Sequence, residues 1–225
     1  MAFISHSNLD LPLAERIAYA LPKFGLTGFL AHRDLESGTE WREEIQRRLR
    51  ESAVLIAVLT QNFVASKWTD HEVGFAVGRY VPIVPFDAGV APYGFMAHIQ
   101  SLRWGDETEG GMRPDGHWSE AELVERETKL GKALELRGAI DHGAILAAFI
   151  ASGSWHGTRV LLPLLGDLNR LPDSEVRGVA SAAATNSEIY NCNVAPGTLL
   201  PFFEGRRHLF GPDLVDGLKK VHLLK

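Results

Sequence analysis

A tryptophan and a glutamate stand four residues apart in the run Ser-Lys-Trp-Thr-Asp-His-Glu. If this run begins a helix, Trp68 and Glu72 share one helical face, so both side chains can address a single ligand. A carboxylate can bind hydroxyl groups and offset positive charge that develops on a reacting carbon, while an indole ring can stack on a flat ring. The alternatives are a solvated Glu72 that stabilises the helix dipole and a Trp68 that only packs.

Other combinations of reactive residues are weaker indications of a catalytic or metal site. His6 and Ser7 could suggest a serine hydrolase, but the sequence has no Gly-x-Ser-x-Gly turn. His71 precedes Glu72 without forming the His-Glu-x-x-His metal pattern, because Phe75 occupies the position of the second histidine. No metal site is therefore predicted. The absence of Gly-x-Gly-x-x-Gly and Gly-x-x-x-x-Gly-Lys-Ser/Thr also argues against a dinucleotide-binding dehydrogenase and a P-loop NTPase.

The bulk properties are those of a soluble globular protein, with 225 residues, 45% of them hydrophobic and 23% charged. The net charge of −5 comes without a basic block, so nucleic acid is not expected as a partner. The single cysteine, Cys192, has no partner for an internal disulfide and is interpreted as a small buried hydrophobe. No signal peptide is recognisable, and the apolar runs are far shorter than the roughly 20 residues that span a bilayer. We therefore expect a cytoplasmic protein without membrane association.

Short apolar runs alternate with amphipathic helical stretches over the first 105 residues, which is typical of βαβ units and a parallel sheet. The run Val54–Leu59 is apolar on both faces, as expected for a central strand that helices cover on both sides. The run at 81–86 contains two prolines, which favours a position toward an edge. The predicted strands are 3–5, 27–30, 54–59, 81–86 and 102–104, and the predicted helices begin at Asn8 or Asp10, at Trp41 and at Thr69.

The sequence changes character after residue 105. Residues 106–118 are rich in Gly, Asp and Glu and include Pro114, which predicts an exposed linker. Ser119 then caps a long charged helix, and Glu122 completes a capping box. Only helical patterns follow. The predicted organisation is an α/β domain at 1–105, a linker at 106–118 and a C-terminal all-α region at 119–225, for which no family is recognised.

Four segments of the first domain together resemble bacterial TIR (Toll/interleukin-1 receptor) domains of the NAD-cleaving type. They are Phe-Ile-Ser-His-Ser at residues 3–7, Leu-Glu-Ser-Gly at 35–38, Leu-Thr-Gln-Asn-Phe at 59–63, and the run from 66 to 72. Their order and spacing match the family as well, and the resemblance covers residues 1–105. It implies a flavodoxin-like, doubly wound parallel sheet, which binds ligands in the crevice at the carboxyl ends of its strands.

The resemblance implies a site built from three loops, with Glu72 as the catalytic glutamate. The loops follow the first strand, the second strand and the third strand. Leu35 and Gly38 match the mobile BB loop of the family, and Trp41 lies close to an aromatic residue that helps close the site in some members. Arg33 and the amides around Ser7 could bind a pyrophosphate. The predicted substrate-binding residues are Ser5, His6, Ser7, Arg33, Asp34, Leu35, Gly38, Trp41 and Trp68.

The function that this resemblance implies is cleavage of the nicotinamide–ribose bond of NAD+. The products would be nicotinamide with ADP-ribose or a cyclic ADP-ribose signal, in the setting of bacterial anti-phage defence. NAD+ would be a substrate, and no resident cofactor is expected. The implied partners are other TIR domains, through self-association, and a downstream effector that senses the nucleotide product. The alternative is a non-enzymatic TIR adaptor that acts only through TIR–TIR interaction.

Overall fold

The computed structural model describes residues 1–31, 41–103 and 119–225, and only the backbone at Trp41. The chain divides into two compact units, Met1–Ile140 and Asp141–Lys225. The linker predicted at 106–118 lies outside the described residues. In the parts of the chain that are described, no helix is both long and apolar enough to cross a membrane.

The first unit is built on a five-stranded sheet in which every paired strand is parallel. The spatial order of the strands is β2-β1-β3-β4-β5, which is the flavodoxin-like order. This confirms the predicted fold class. The strands are β1 Ala2–Ser5, β2 Gly28–Phe29, β3 Val54–Leu59, β4 Ile83–Asp87 and β5 Leu102–Arg103.

The helices of the first unit connect and flank these strands. The described ones are α1 Leu11–Ala20, α2 Trp41–Glu51, α3 Gln61–Ala65, α4 Lys67–Gly78 and α5 Glu120–Leu136. Helix α1 passes into a 3-10 helix at Leu21, next to Pro22, and the chain leaves it at Gly25 with a φ of 71°. Helix α4 begins two residues before the predicted start at Thr69, because the Ser66 hydroxyl accepts a hydrogen bond from the Trp68 amide and caps the helix.

The core of this unit forms on both faces of the central strand. All six residues of β3 are buried. Leu55 belongs to a cluster of buried apolar residues that includes Leu49 of α2 and Val73 of α4. Successive residues of a strand point to opposite faces, so the equally buried Ile56 must be covered from the other side. The uniformly apolar pattern of β3 is therefore explained by helices on both faces of the sheet.

Strand β4 tolerates proline because β5 begins after the position that would pair with Pro85. Pro85 lies opposite Ala57 of β3, whereas the described residues of β5, starting at Leu102, pair with Phe86 and Asp87. At Pro85 the strand therefore has a neighbour on one side only, where a missing N–H is less costly. The structure places β4 second from the edge, next to the edge strand β5.

Helix α5 begins with the predicted capping box, in which Ser119 and Glu122 bond each other's backbone N–H groups. It belongs to the first compact unit, and the ammonium group of Lys23 lies 3.1 Å from a carboxylate oxygen of Glu127. The division between compact units, after Ile140, therefore differs from the predicted start of the C-terminal region at residue 119.

The second unit is formed by helices. They are α6 His142–Ile150, α7 Trp155–Leu161, α8 Asp173–Thr185, α9 Ser187–Tyr190, α10 Ala195–Gly205 and α11 Pro212–Lys220. Asp141 and Ser154 cap α6 and α7 by accepting hydrogen bonds from backbone amides. The buried Thr158 hydroxyl donates to the Glu188 carbonyl oxygen at 2.9 Å, so its polar atom is satisfied inside the core. Cys192 is also buried.

Candidate functional site

The carboxyl end of β1 places three polar residues next to the middle of the sheet. Ser5 is fully buried and pairs in register with Ala57 of β3. The imidazole Nδ1 of His6 lies 2.9 Å from the Ile4 carbonyl oxygen, to which it donates. Ser7 caps a short 3-10 helix, since its hydroxyl accepts a hydrogen bond from the Leu9 amide. The chain thus turns away from the sheet immediately after the strand.

The loop after β3 is fastened to the loop after β1 through one carboxylate. Asp10 accepts a hydrogen bond from the Thr60 hydroxyl at 2.5 Å and another from the Asn62 amide nitrogen at 2.8 Å. Thr60 also caps helix α3, because its hydroxyl accepts from the Phe63 amide. The two loops lie where the strand order reverses between β1 and β3, which is the topological switch point of this fold.

Helix α4 brings a carboxylate to the same place. The Thr69 hydroxyl, buried in the first turn of the helix, donates to the Phe63 carbonyl oxygen at 2.7 Å and ties α4 to α3. One turn further on, Glu72 is only 7% exposed. The hydroxyl of Ser5 donates to Glu72 Oε2 at 2.5 Å. This bond connects the end of β1 with the interior side of α4.

A cavity of about 330 Å³ opens beside Glu72. Its walls come from the loop after β1, from the loop after β3 together with α3, and from the start of α4. The lining residues are His6, Ser7, Asn8, Leu9, Asn62, Ala65, Ser66, Trp68 and Glu72. The indole of Trp68 is 41% exposed and meets the His71 ring edge-on, with 5.9 Å between the ring centroids. The cavity therefore combines a buried carboxylate with an accessible aromatic ring.

Burial raises the pKa of Glu72 to about 7, and the hydrogen bond from Ser5 opposes this rise. Removing a carboxylate from water disfavours its charged form, whereas a donor favours that form. Near neutral pH the side chain is therefore close to its midpoint and exists in both protonation states. Perturbed groups of this kind in a cleft are candidates for catalysis.

A family model described as a TIR domain matches residues 2–115 of the sequence. The chain belongs to the TIR domain family. Among solved structures, the TIR domain of the Toll-related receptor TRR-2 from Hydra magnipapillata is similar, with 20% sequence identity and a TM-score of 0.41. That match covers 46% of this chain and 82% of the Hydra chain. No curated protein matches the sequence.

In this TIR domain, four of the predicted site residues line one cavity. His6, Ser7, Trp68 and Glu72 come together at the carboxyl ends of the strands, where the fold was expected to place its ligand site. Ser5 does not line the cavity, because its side chain is fully buried and bonded to Glu72. In the structure its hydroxyl contacts the carboxylate, and its predicted role in substrate binding stays a prediction.

The other predicted site residues follow β2 in the sequence. Arg33, Asp34, Leu35 and Gly38 lie outside the described residues, and so does the side chain of Trp41. Their predicted roles stay predictions.

The cavity has further lining residues that no sequence pattern identified individually. Asn62 is an example, since the segment between β3 and α4 was expected to reach the site but no pattern singled out this side chain. Its contact with Asp10 depends on how two loops meet in space. Among the described residues, no group of three or more His, Cys, Asp or Glu side chains is placed to hold a metal ion.

Proposed function

We propose that this TIR domain cleaves the bond between nicotinamide and ribose in NAD+, which it uses as a substrate and not as a resident redox cofactor. The observation that supports this proposal is the buried carboxylate of Glu72, which lines the cavity together with Trp68 one helical turn earlier. Membership of a family that includes NAD-cleaving enzymes adds to it.

The chemistry requires one carboxylate and no acid. When the bond to C1′ of the ribose breaks, its electron pair goes to the pyridinium nitrogen, so nicotinamide leaves as a neutral molecule without needing a proton. Positive charge then grows on C1′ in an oxocarbenium-like transition state, as in glycoside hydrolysis. An ionised Glu72 stabilises this charge mainly in the transition state, which raises the rate rather than only tightening binding.

The cavity is large enough to hold part of the dinucleotide. Its volume of about 330 Å³ lies at the lower end of the range for small-molecule sites, which suits the nicotinamide riboside moiety. Trp68 offers a face for stacking on a flat ring, and Asn62 and Ser7 offer hydrogen-bonding groups. Arg33 and its neighbours are proposed to bind the pyrophosphate.

Two sets of products are compatible with this chemistry. If water attacks C1′, it loses a proton and the products are ADP-ribose, nicotinamide and H+. If a nucleophilic atom of the ADP-ribose moiety attacks C1′ instead, the products are a cyclic ADP-ribose, nicotinamide and H+. Mass spectrometry after incubation of the full chain with NAD+ separates hydrolysis, cyclisation and no reaction in one measurement.

The decisive variant is Glu72→Gln, which keeps the shape of the side chain and removes its charge. We expect it to lower NAD+ cleavage by about 100-fold or more. Glu15→Gln is the matched control, because Glu15 lies exposed on α1. We expect the same substitution there to leave activity unchanged. Equal and negligible cleavage by wild type and Glu72→Gln at every protein concentration would contradict the proposal and favour the non-enzymatic adaptor.

The proposed setting is bacterial anti-phage defence in the cytoplasm, where the product or the loss of NAD+ acts as a signal to an effector. We expect expression of the wild-type chain, but not of Glu72→Gln, to lower phage plaque formation in a bacterial host. Equal protection by both variants would disconnect defence from cleavage.

A further inference from the structure

The hydroxyl of Ser5 and the carboxylate of Glu72 form a buried pair between distant parts of the sequence. Their oxygens lie 2.5 Å apart across a separation of 67 residues. Ser5 is fully buried and Glu72 is 7% exposed. Among the hydrogen bonds of the described residues, this is the contact that connects the central sheet directly to the proposed catalytic group.

The position of Ser5 separates it from any ligand in the cavity. It ends a strand in which all four residues are buried, and it is not among the residues that line the cavity. Its backbone is held by the pairing of β1 with β3, in register with Ala57. A donor on such a rigid element stays in place whether or not a ligand is bound.

We propose that Ser5 is the positioning residue of Glu72, whose carboxylate it holds by one oxygen so that the other is presented to the cavity. This inference rests on the proposed function. The hydroxyl has two effects. It restricts the rotamers of the glutamate, which favours a productive geometry, and it favours the ionised form that the transition state requires.

The described residues near this pair include other titratable groups. His6 lines the same cavity, and Asp70 and His71 are neighbours of Glu72 on α4. Asp70 accepts a hydrogen bond from the Tyr93 hydroxyl at 2.8 Å. From α2, the Arg50 guanidinium lies over the Phe75 ring, 5.7 Å from its centroid. The residues that the segment after β3 contributes to the cavity are Asn62, Ala65 and Ser66, which are uncharged.

The test measures the titration of Glu72 in the full chain carrying glutamate labelled with 13C at the side-chain carboxyl. The Glu72 signal is identified by its loss in Glu72→Gln. In Ser5→Ala, we expect its midpoint to rise by about one pH unit, because the charged form loses its donor. The Ser52→Ala variant is the control. It removes another buried serine hydroxyl, which donates to the Arg48 carbonyl oxygen and not to Glu72, so the Glu72 midpoint should stay unchanged.

The pH profile of the reaction gives the second readout. The acidic limb of kcat in Ser5→Ala should move upward by the same amount as the titration, with about a tenfold loss of kcat at pH 6 and little change in KM. The limb is assigned to Glu72 when its midpoint moves together with that of the labelled Glu72 carboxyl. If Ser5→Ala does not fold, Ser5→Cys retains a side chain with a much weaker donor and should shift the midpoint in the same direction.

An unchanged Glu72 midpoint in Ser5→Ala or Ser5→Cys would overturn the inference. So would a Ser5→Ala enzyme with the kcat profile of the wild type. The titration needs no NAD+, so it separates the two proposals: a shifted midpoint in a chain that cleaves no NAD+ would refute the proposed function while leaving the coupling of Ser5 to Glu72 established.

Discussion

Burial and hydrogen bonding act in opposite directions on the Glu72 carboxyl. Burial is the larger effect and raises the pKa of Glu72 to about 7. Ionisation of Glu72 near neutral pH therefore lowers the stability of the folded protein. Burial destabilises the charged carboxylate in the free protein. In the same low-dielectric surroundings, that carboxylate interacts strongly with a positive charge that develops beside it. The same burial that costs stability therefore strengthens the proposed catalytic effect.

This conflict predicts the pH dependence of stability. A carboxyl whose pKa is higher in the folded than in the unfolded state contributes stability below about pH 4.5, and this contribution is lost as the pH rises through about 7. The neutral Glu72→Gln does not suffer this loss. We expect the free energy of unfolding of Glu72→Gln, relative to that of the wild type, to increase by up to about 3 kcal/mol between pH 4 and pH 8.

Urea unfolding at several pH values measures this difference. Glu15→Gln, at an exposed position, should show no comparable change over the same range. A constant difference in unfolding free energy between Glu72→Gln and wild type would mean that the Glu72 pKa is not raised in the folded protein.

The site depends on how individual elements begin and where they approach each other. Thr60 and Ser66 cap the two consecutive helices after β3, and the Thr69 hydroxyl ties these helices together. These local interactions fix the direction of α4 and therefore the place of Glu72. On the other side of β1, helix α1 approaches β2 so closely that a side chain at Gly28 has no room.

A pair of glycine substitutions tests this close approach. A Cβ at Gly28 would lie 2.9 Å from the Ala18 Cβ and 3.1 Å from its Cα, so the backbones must separate. We expect Gly28→Ala to lower the free energy of unfolding by about 1–3 kcal/mol. At Gly74 in α4, a Cβ meets nothing within 4 Å, so Gly74→Ala should gain about 0.5–1 kcal/mol from helix propensity. Chemical denaturation of both variants checks the prediction, and losses of equal size would contradict it.

Patterns within single elements were sufficient to predict much of this fold. The apolar β3 and the capping box of Ser119 and Glu122 were both visible in the sequence, since each depends on residues close together in the chain. The family resemblance singled out Glu72 and Trp68. The bond between Ser5 and Glu72 could not be predicted, because a serine at the end of a strand has the same local pattern whether it faces a cavity or a carboxylate. Only the arrangement of β1 beside α4 decides between them.

Boundaries between larger parts were less predictable for a related reason. Helix α5 follows a segment with the composition of a linker. No local sequence pattern shows whether a helix in this position packs on the first unit or begins the second. Its membership of the first unit depends on tertiary contacts such as the ion pair between Lys23 and Glu127.

At the scale of the whole molecule, the TIR unit and the helical unit Asp141–Lys225 are each compact. TIR domains associate with one another, and we expect this chain to self-associate through its TIR domain in order to complete the site. NAD+ cleavage should then rise more steeply than in proportion to protein concentration, in parallel with the mass measured by light scattering. Strictly proportional activity from a protein that stays monomeric would show that one chain holds the whole site.

The length of the two edge strands affects whether copies of the chain can associate by pairing strands. In the part of the chain that the structure describes, β2 and β5 are each two residues long. Along these described residues, an incoming strand from another molecule would find almost no backbone ladder to extend. We therefore expect association between copies to depend on complementary side-chain surfaces, which can be specific and reversible where a continued sheet would be neither.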